Sequence, residues 1–123
     1  MKNVRPPLGD LEHELLNILW KHGEMTATAV RKHVVRKLKD PTIRTVLRRL
    51  EEKGYVKHSV VSGTFIYRAR ESAEATAASA VRSIVDRFCG GSLERVLQAL
   101  VETGLADADQ LATFTGRLKR KAR

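Results

Sequence analysis

Between residues 11 and 21 the apolar set Leu11, Leu15, Ile18 and Leu19, with Leu16 and Trp20 alongside, recurs at the spacing of one helix face. His22-Gly23 closes that helix, and Trp20 near its end is most simply a core anchor. Thr26 has the chemistry of a cap for a second helix, Ala27 to about Lys37. Its inner face is Ala27, Val30, Val34 and Leu38, and its outside is basic through Arg31, Lys32, Arg36 and Lys37. After the short break Lys39-Asp40, the dipeptide Asp40-Pro41 opens a third helix over 41–53. The Asp side chain is expected to accept an orphan amide, while proline fills a first-turn position where no donor is needed. Gly54 is the matching stop. Ile43, Val46, Leu47 and Leu50 fall at i, i+3, i+4 and i+7 and form one inward stripe. Arg44, Thr45 and Arg48 lie opposite that stripe, with Thr42 and Arg49 on one flank.

The period then changes from 3.6 to 2. Tyr55–Val61 and Thr64–Ala69 are rich in strand formers, and Ser62-Gly63 between them predicts a tight hairpin. From Ser72 to Phe88 the helical period returns, with Ala73, Ala77, Ala80, Val81, Ile84, Val85 and Phe88 along one side. Gly90-Gly91 breaks it, and Ser92 caps a helix carrying Leu93, Val96, Leu97, Leu100 and Val101. Gly104 ends that one. Asp107 with Gln110 three residues on has the form of a capping box for a last helix, in which Leu111, Phe114 and Leu118 are spaced for burial.

The predicted fold is therefore mainly α: a winged helix-turn-helix of three helices plus a β-hairpin wing over 9–70, then a helical dimerisation region over 71–123 with a basic C-terminal tail. Residues 1–8 are expected to form a flexible lead that Pro6-Pro7 keeps extended. The tail, Arg117, Lys119, Arg120, Lys121 and Arg123, is expected to be solvated.

Charge gives this architecture a partner. Of the 123 residues, 23 are Lys or Arg and 14 Asp or Glu, a net +9 that suits a polyanion, with nucleic acid ahead of a membrane surface. Two short helices whose second exposes Arg and Thr near its start suit a DNA major groove, where Arg reads guanine and Thr meets a thymine methyl or a phosphate. The expected DNA surface comprises Thr42, Arg44, Thr45, Arg48 and Arg49 of the third helix, Thr28, Arg31 and Lys32 of the second, and Lys57 and Arg68 of the wing. His58 and Arg70 extend the wing's positive edge, although the turn itself is uncharged. The apolar faces downstream need a cover, and a second copy is the economical one. The expected dimerisation residues are Val81, Ile84, Val85, Phe88, Leu93, Val96, Leu97, Leu100, Leu111 and Phe114.

Other chemistries find little support. The single cysteine excludes an internal disulfide and a cysteine-based zinc site, so Cys89 is expected to pack as a small apolar residue. The four histidines show no ligand spacing on a shared helical face, so neither metal nor cofactor is expected. Met1–Asp10 has no apolar run of a signal peptide, and no stretch approaches the roughly 20 apolar residues of a membrane span. The expectation is a cytoplasmic protein without membrane insertion. No nucleophile beside a base and no phosphate-cradling glycine loop points to an enzyme. A winged helix used as a protein-interaction module would need an apolar patch on its third helix, which the sequence does not show.

Four segments together resemble the BlaI/MecI penicillinase-repressor family: Leu8 to Trp20 (LGDLEHELLNILW), Pro41 to Gly54 (PTIRTVLRRLEEKG), Phe65-Ile66-Tyr67-Arg68, and Phe88-Cys89-Gly90-Gly91-Ser92. They occur in order and span nearly the whole chain. The resemblance implies a homodimeric repressor on palindromic operators built from TACA and TGTA half-sites, with Thr42, Arg44 and Thr45 facing DNA and Arg44 reading the half-site guanine. It also implies a membrane sensor protease as partner. Two departures matter: Pro41 stands where Lys is common, and Ala99-Leu100 replaces the Asn-Phe pair that the protease cuts. The copper-responsive branch's C-terminal cysteine cluster is missing.

Overall fold

A computed structural model describes residues 5–121. Its elements run α1 (Asp10–His22), α2 (Ala27–His33), α3 (Asp40–Glu52), β1 (Val56–Val61), β2 (Thr64–Ala69), α4 (Ala73–Arg87), a 3-10 turn (Cys89–Gly91), α5 (Leu93–Glu102) and α6 (Ala108–Lys121). They form two compact units, one running to Ser79 and the other starting at Ala80, so the division falls within α4.

In the first unit, one core gathers Leu15, Leu16, Ile18 and Leu19 of α1, Ala27 and Val30 of α2, Ile43, Val46, Leu47 and Leu50 of α3, and Val56 and Tyr67 of the hairpin. The α3 stripe is buried as its spacing requires. Each such side chain contributes about 1.5–3 kcal/mol by leaving water, so turning α3 to bury its arginines instead would forfeit all four contributions. The end of α3 follows from Gly54. At φ +91° it adopts a conformation that L side chains avoid, and the Gly54 and Tyr55 amides return to the Glu51 and Leu50 carbonyls at 3.0 and 2.9 Å. The chain leaves the helix already aimed into β1.

The hairpin pairs Val56 with Ala69 through Val61 with Thr64 in antiparallel register. Ser62 and Gly63 both take positive φ, +50° and +79°, as a two-residue turn matched to the strand twist demands. Tyr67 also exchanges both backbone hydrogen bonds with Met25, at 2.8 and 3.0 Å, so the α1–α2 connection adds a one-residue bridge to the sheet.

Two elements depart from the sequence expectation. Thr26 caps α2, its hydroxyl accepting from the Ala29 amide, but the helix stops at His33 rather than near Lys37. Val34 has extended backbone and still reaches the core, while the adjacent Val35 amide donates to Glu14 and the Arg36 guanidinium pairs with the same carboxylate at 3.1 Å. A β-branched pair with weak helix preference yields there to a tertiary anchor. The lead is also held from Arg5 onward: Pro6 and Pro7 carbonyls accept from Tyr55 Oη and Lys53 Nζ, both at 2.9 Å. Arg5 lies 5.0 Å over the Tyr55 ring and pairs with Glu71. The remaining lead, residues 1–4, lies outside the described residues. Trp20 is half-buried against the core and its Nε1–H donates to the Glu71 carbonyl.

In the second unit, Ser92 caps α5 by accepting from the Arg95 amide, and Asp107 Oδ1 caps α6 by accepting from the Asp109 and Gln110 amides. Gly90 and Gly91 take φ of +60° and +79°, which accounts for the break after Phe88. The Cys89 side chain and the tail's Lys119–Arg123 side chains lie outside those described.

Candidate nucleic-acid interface

Burial of the apolar stripe leaves one face of α3 to solvent. Thr42, Arg44, Arg48 and Arg49 are exposed there, with 58% of the Arg44 side chain accessible. Thr45 is half-buried and its hydroxyl donates to the Pro41 carbonyl at 3.0 Å, which uses its one donor and leaves the methyl and the oxygen lone pairs for an outward contact. Lys32 is exposed at the end of α2.

The start of α3 differs from its expected role. Asp40 does not cap its own helix. The N-cap is Lys39, which makes no side-chain cap, and Asp40 is the first helical residue. Its carboxylate reaches across to α2, where Oδ2 accepts from Thr28 Oγ1 at 2.9 Å and Oδ1 pairs with Arg31 Nε. Arg44, one turn along α3, stands 4.0 Å from Oδ2. The Thr28 hydrogen bond, against a smaller opposing effect of burial, and then the Arg31 and Arg44 charges hold Asp40 below the usual carboxylate range. Thr28, Arg31 and Arg44 are thus gathered on one acid. Their i, i+4 part, Asp40 and Arg44, is legible in the sequence; the reach to α2 is not.

Arg44 and Arg48 also line a cleft of about 560 Å³ between α2, α3 and the hairpin, with Thr26, Thr28, Phe65 and Tyr67. His58 lies inside this cleft rather than on the wing's outer edge. Its ring stacks on Phe65 at 4.0 Å, and Nδ1 sits 2.8 Å from both Glu51 oxygens. Alternation along the strands explains the correction: Val56, His58, Phe65 and Tyr67 share the face turned to α3. Burial, with Glu51 adding its charge, pushes the Tyr67 phenol up.

Lys57 and Arg68 are exposed and directly opposite each other across the ladder, on the other face. The structure therefore does not bring them onto the surface that carries Arg44. The wing tip is apolar, with Val60 and Val61 more than half exposed. At the far side of α2, the His22 and His33 rings lie flat on each other at 3.9 Å. Stacked rings do not aim their in-plane lone pairs at a common ion. Among the described residues no group of three or more His, Cys, Asp or Glu is arranged to hold a metal.

In the second unit Val81, Ile84, Phe88, Leu93, Leu97 and Phe114 are exposed, at 41–63%, and Val96, Leu100 and Leu111 are half-buried. Val85, expected with them at a dimer contact, is buried within its own chain at 4% exposure.

A basic helix facing outward from a three-helix and hairpin core is the layout of a DNA-binding domain, and comparison with known proteins identifies the lineage. Residues 8–120 match the family model described as penicillinase repressor. The chain belongs to the penicillinase repressor family. It is 25% identical to the penicillinase repressor of Bacillus licheniformis over 113 residues, covering 90% of this chain and 88% of that one. Among solved structures, an ArsR-like transcriptional regulator from Rhodococcus sp. RHA1 is similar with a TM-score of 0.51, 20% identity and coverage of 77% of this chain and 82% of that one. The YusO protein from Bacillus subtilis is similar with a TM-score of 0.51, 17% identity and coverage of 82% and 76%. These two likenesses speak to the fold. Family membership makes this penicillinase-repressor homologue a winged-helix transcriptional repressor rather than an enzyme. No helix among the described residues is long and apolar enough to cross a membrane.

Proposed function

We propose that the chain represses transcription as a homodimer that places α3 of each protomer in the major groove of a palindromic operator with TACA/TGTA-like half-sites. The observation that carries this is the split of α3: four apolar side chains in the core and Thr42, Arg44 and Arg48 in solvent. Arg44 reads the half-site guanine through its planar fork, at about 1–3 kcal/mol of discrimination for a well-made bidentate contact. Arg48, Arg49 and Lys32 hold the backbone, and Thr42 and Thr45 complete the α3 surface. Lys57 and Arg68, on the far face of the wing, serve this reading as long-range charge rather than as contacts beside Arg44.

Dimerisation is supported by the exposed apolar side chains of the second unit, which suit a second copy of the same surface. Two reading heads about 34 Å apart then bind one dyad, and tethering the second half-site raises affinity more than any one base contact. A membrane sensor protease is not part of this proposal, because Ala99-Leu100 offers neither Asn nor Phe and lies within α5.

Fluorescence anisotropy on operator and scrambled duplexes tests the assignment. Arg44→Ala should cut operator affinity about tenfold or more and leave scrambled DNA much less affected, whereas Lys32→Ala should weaken both alike. Equal losses from the two variants would reject it.

A further inference from the structure

The front of α3 carries a carboxylate on a surface that otherwise suits phosphates. Asp40 is engaged from two helices: Thr28 donates to one oxygen, the other meets Arg31 Nε as an ion pair in which both atoms are shut off from solvent and have no other hydrogen-bond partner among the described residues, and Arg44 stands 4.0 Å away. A carboxyl is ionised at neutral pH in any case, and these same contacts favour its charged form further. Non-specific DNA binding depends chiefly on the number of phosphates neutralised, while sequence reading depends on a guanidinium held in a defined orientation. One acid here acts on both quantities. It occupies part of the Arg31 guanidinium and opposes its charge, and it gives the long Arg44 side chain a fixed neighbour on its own helix.

We propose that Asp40 is the residue that sets operator selectivity, by withholding Arg31 from the DNA backbone and restraining the fork of Arg44. The proposal rests on the DNA-binding reading above. Asp40 is a positioning residue in this role; it need not touch a base. Without its charge, Arg31 becomes an additional phosphate ligand and Arg44 a looser reader, so all DNA is held more tightly and operator DNA is distinguished less well.

Asp40→Asn tests this, since an amide oxygen still accepts from Thr28 and the side chain keeps its shape. Affinity for operator and scrambled duplexes is measured across a salt series. For D40N the slope of log affinity against log salt should steepen by about 0.9 on scrambled DNA, which corresponds to about eightfold tighter binding near 0.1 M salt. The operator-to-scrambled ratio should fall. Arg31→Ala should leave the slope of the parent protein nearly unchanged but remove the gain when added to D40N. A D40N protein with parental slope and ratio, or one weakened equally on both duplexes as a mere helix clamp would be, overturns the proposal while the DNA-binding reading stands. A parent protein that binds neither duplex removes that reading and the proposal together.

Discussion

Replacing Glu12 by glutamine removes a charge on which two donors converge. Glu12 is the N3 residue of α1, and its Oε1 accepts from the Gly9 amide and from Lys53 Nζ, both at 2.7 Å. Its side chain is 8% exposed and that of Lys53 27%. Breaking a buried ion pair costs roughly 3–5 kcal/mol and an exposed one about 0–1. With one partner enclosed and the other partly wetted, we expect about 2 kcal/mol for Glu12→Gln. In a unit of this size that lowers Tm by about 8–16 °C. Urea unfolding followed by Trp20 fluorescence, in the parent, E12Q, K53M and the double variant, isolates the pair. The double variant should be less destabilised than the two single changes combined, by about 1 kcal/mol or more. Acid gives a second readout. Burial pushes Glu12 up, but Lys53, the Gly9 amide and the nearby Arg49 outweigh it and hold the carboxyl below its ordinary range. A carboxyl depressed in the folded state contributes stability that is full above its unfolded pKa and lost as pH falls through the folded one. The parent should therefore lose stability below about pH 5, and E12Q should lose less over the same interval. Additive single variants with parallel acid profiles would refute the coupling.

Two further predictions concern other parts of the chain. Gly54→Ala places a Cβ at φ +91° where the nearest atom is 3.9 Å away, so the penalty is conformational rather than steric, about 1–2 kcal/mol by urea titration. Ile84→Asp with Phe88→Asp, both exposed before the change, should shift the chain to monomer in sedimentation velocity and weaken operator binding more than Arg44→Ala does, while leaving its helix content intact by circular dichroism.

The pattern of apolar residues carried most of the fold. The α3 stripe, the hairpin with Ser62-Gly63 at its turn, and the caps at Thr26, Ser92 and Asp107 could all be read because each depends on residues close together in the chain. What could not be read depended on partners distant in sequence. Val34 keeps the helical spacing by coincidence, and Glu14, about 20 residues earlier, decides the backbone beside it. Asp40 has the composition of a cap and is instead recruited by Thr28 and Arg31. His58 belongs by charge to the wing's edge, but strand alternation turns it toward Glu51. At the interface, residue types announced the chemistry, whereas the orientation of Lys57 and Arg68 away from Arg44 needed the folded sheet.

The anchored lead has a practical corollary for anyone handling the molecule. Pro6 and Pro7 grip the C-terminal end of α3 through Tyr55 and Lys53, and Arg5 is clasped by Glu71. A chain trimmed past Pro7 would lose these acceptors and leave the Lys53 and Tyr55 donors at the base of the reading helix to water, so a shortened version is a poor stand-in for the parent in titrations.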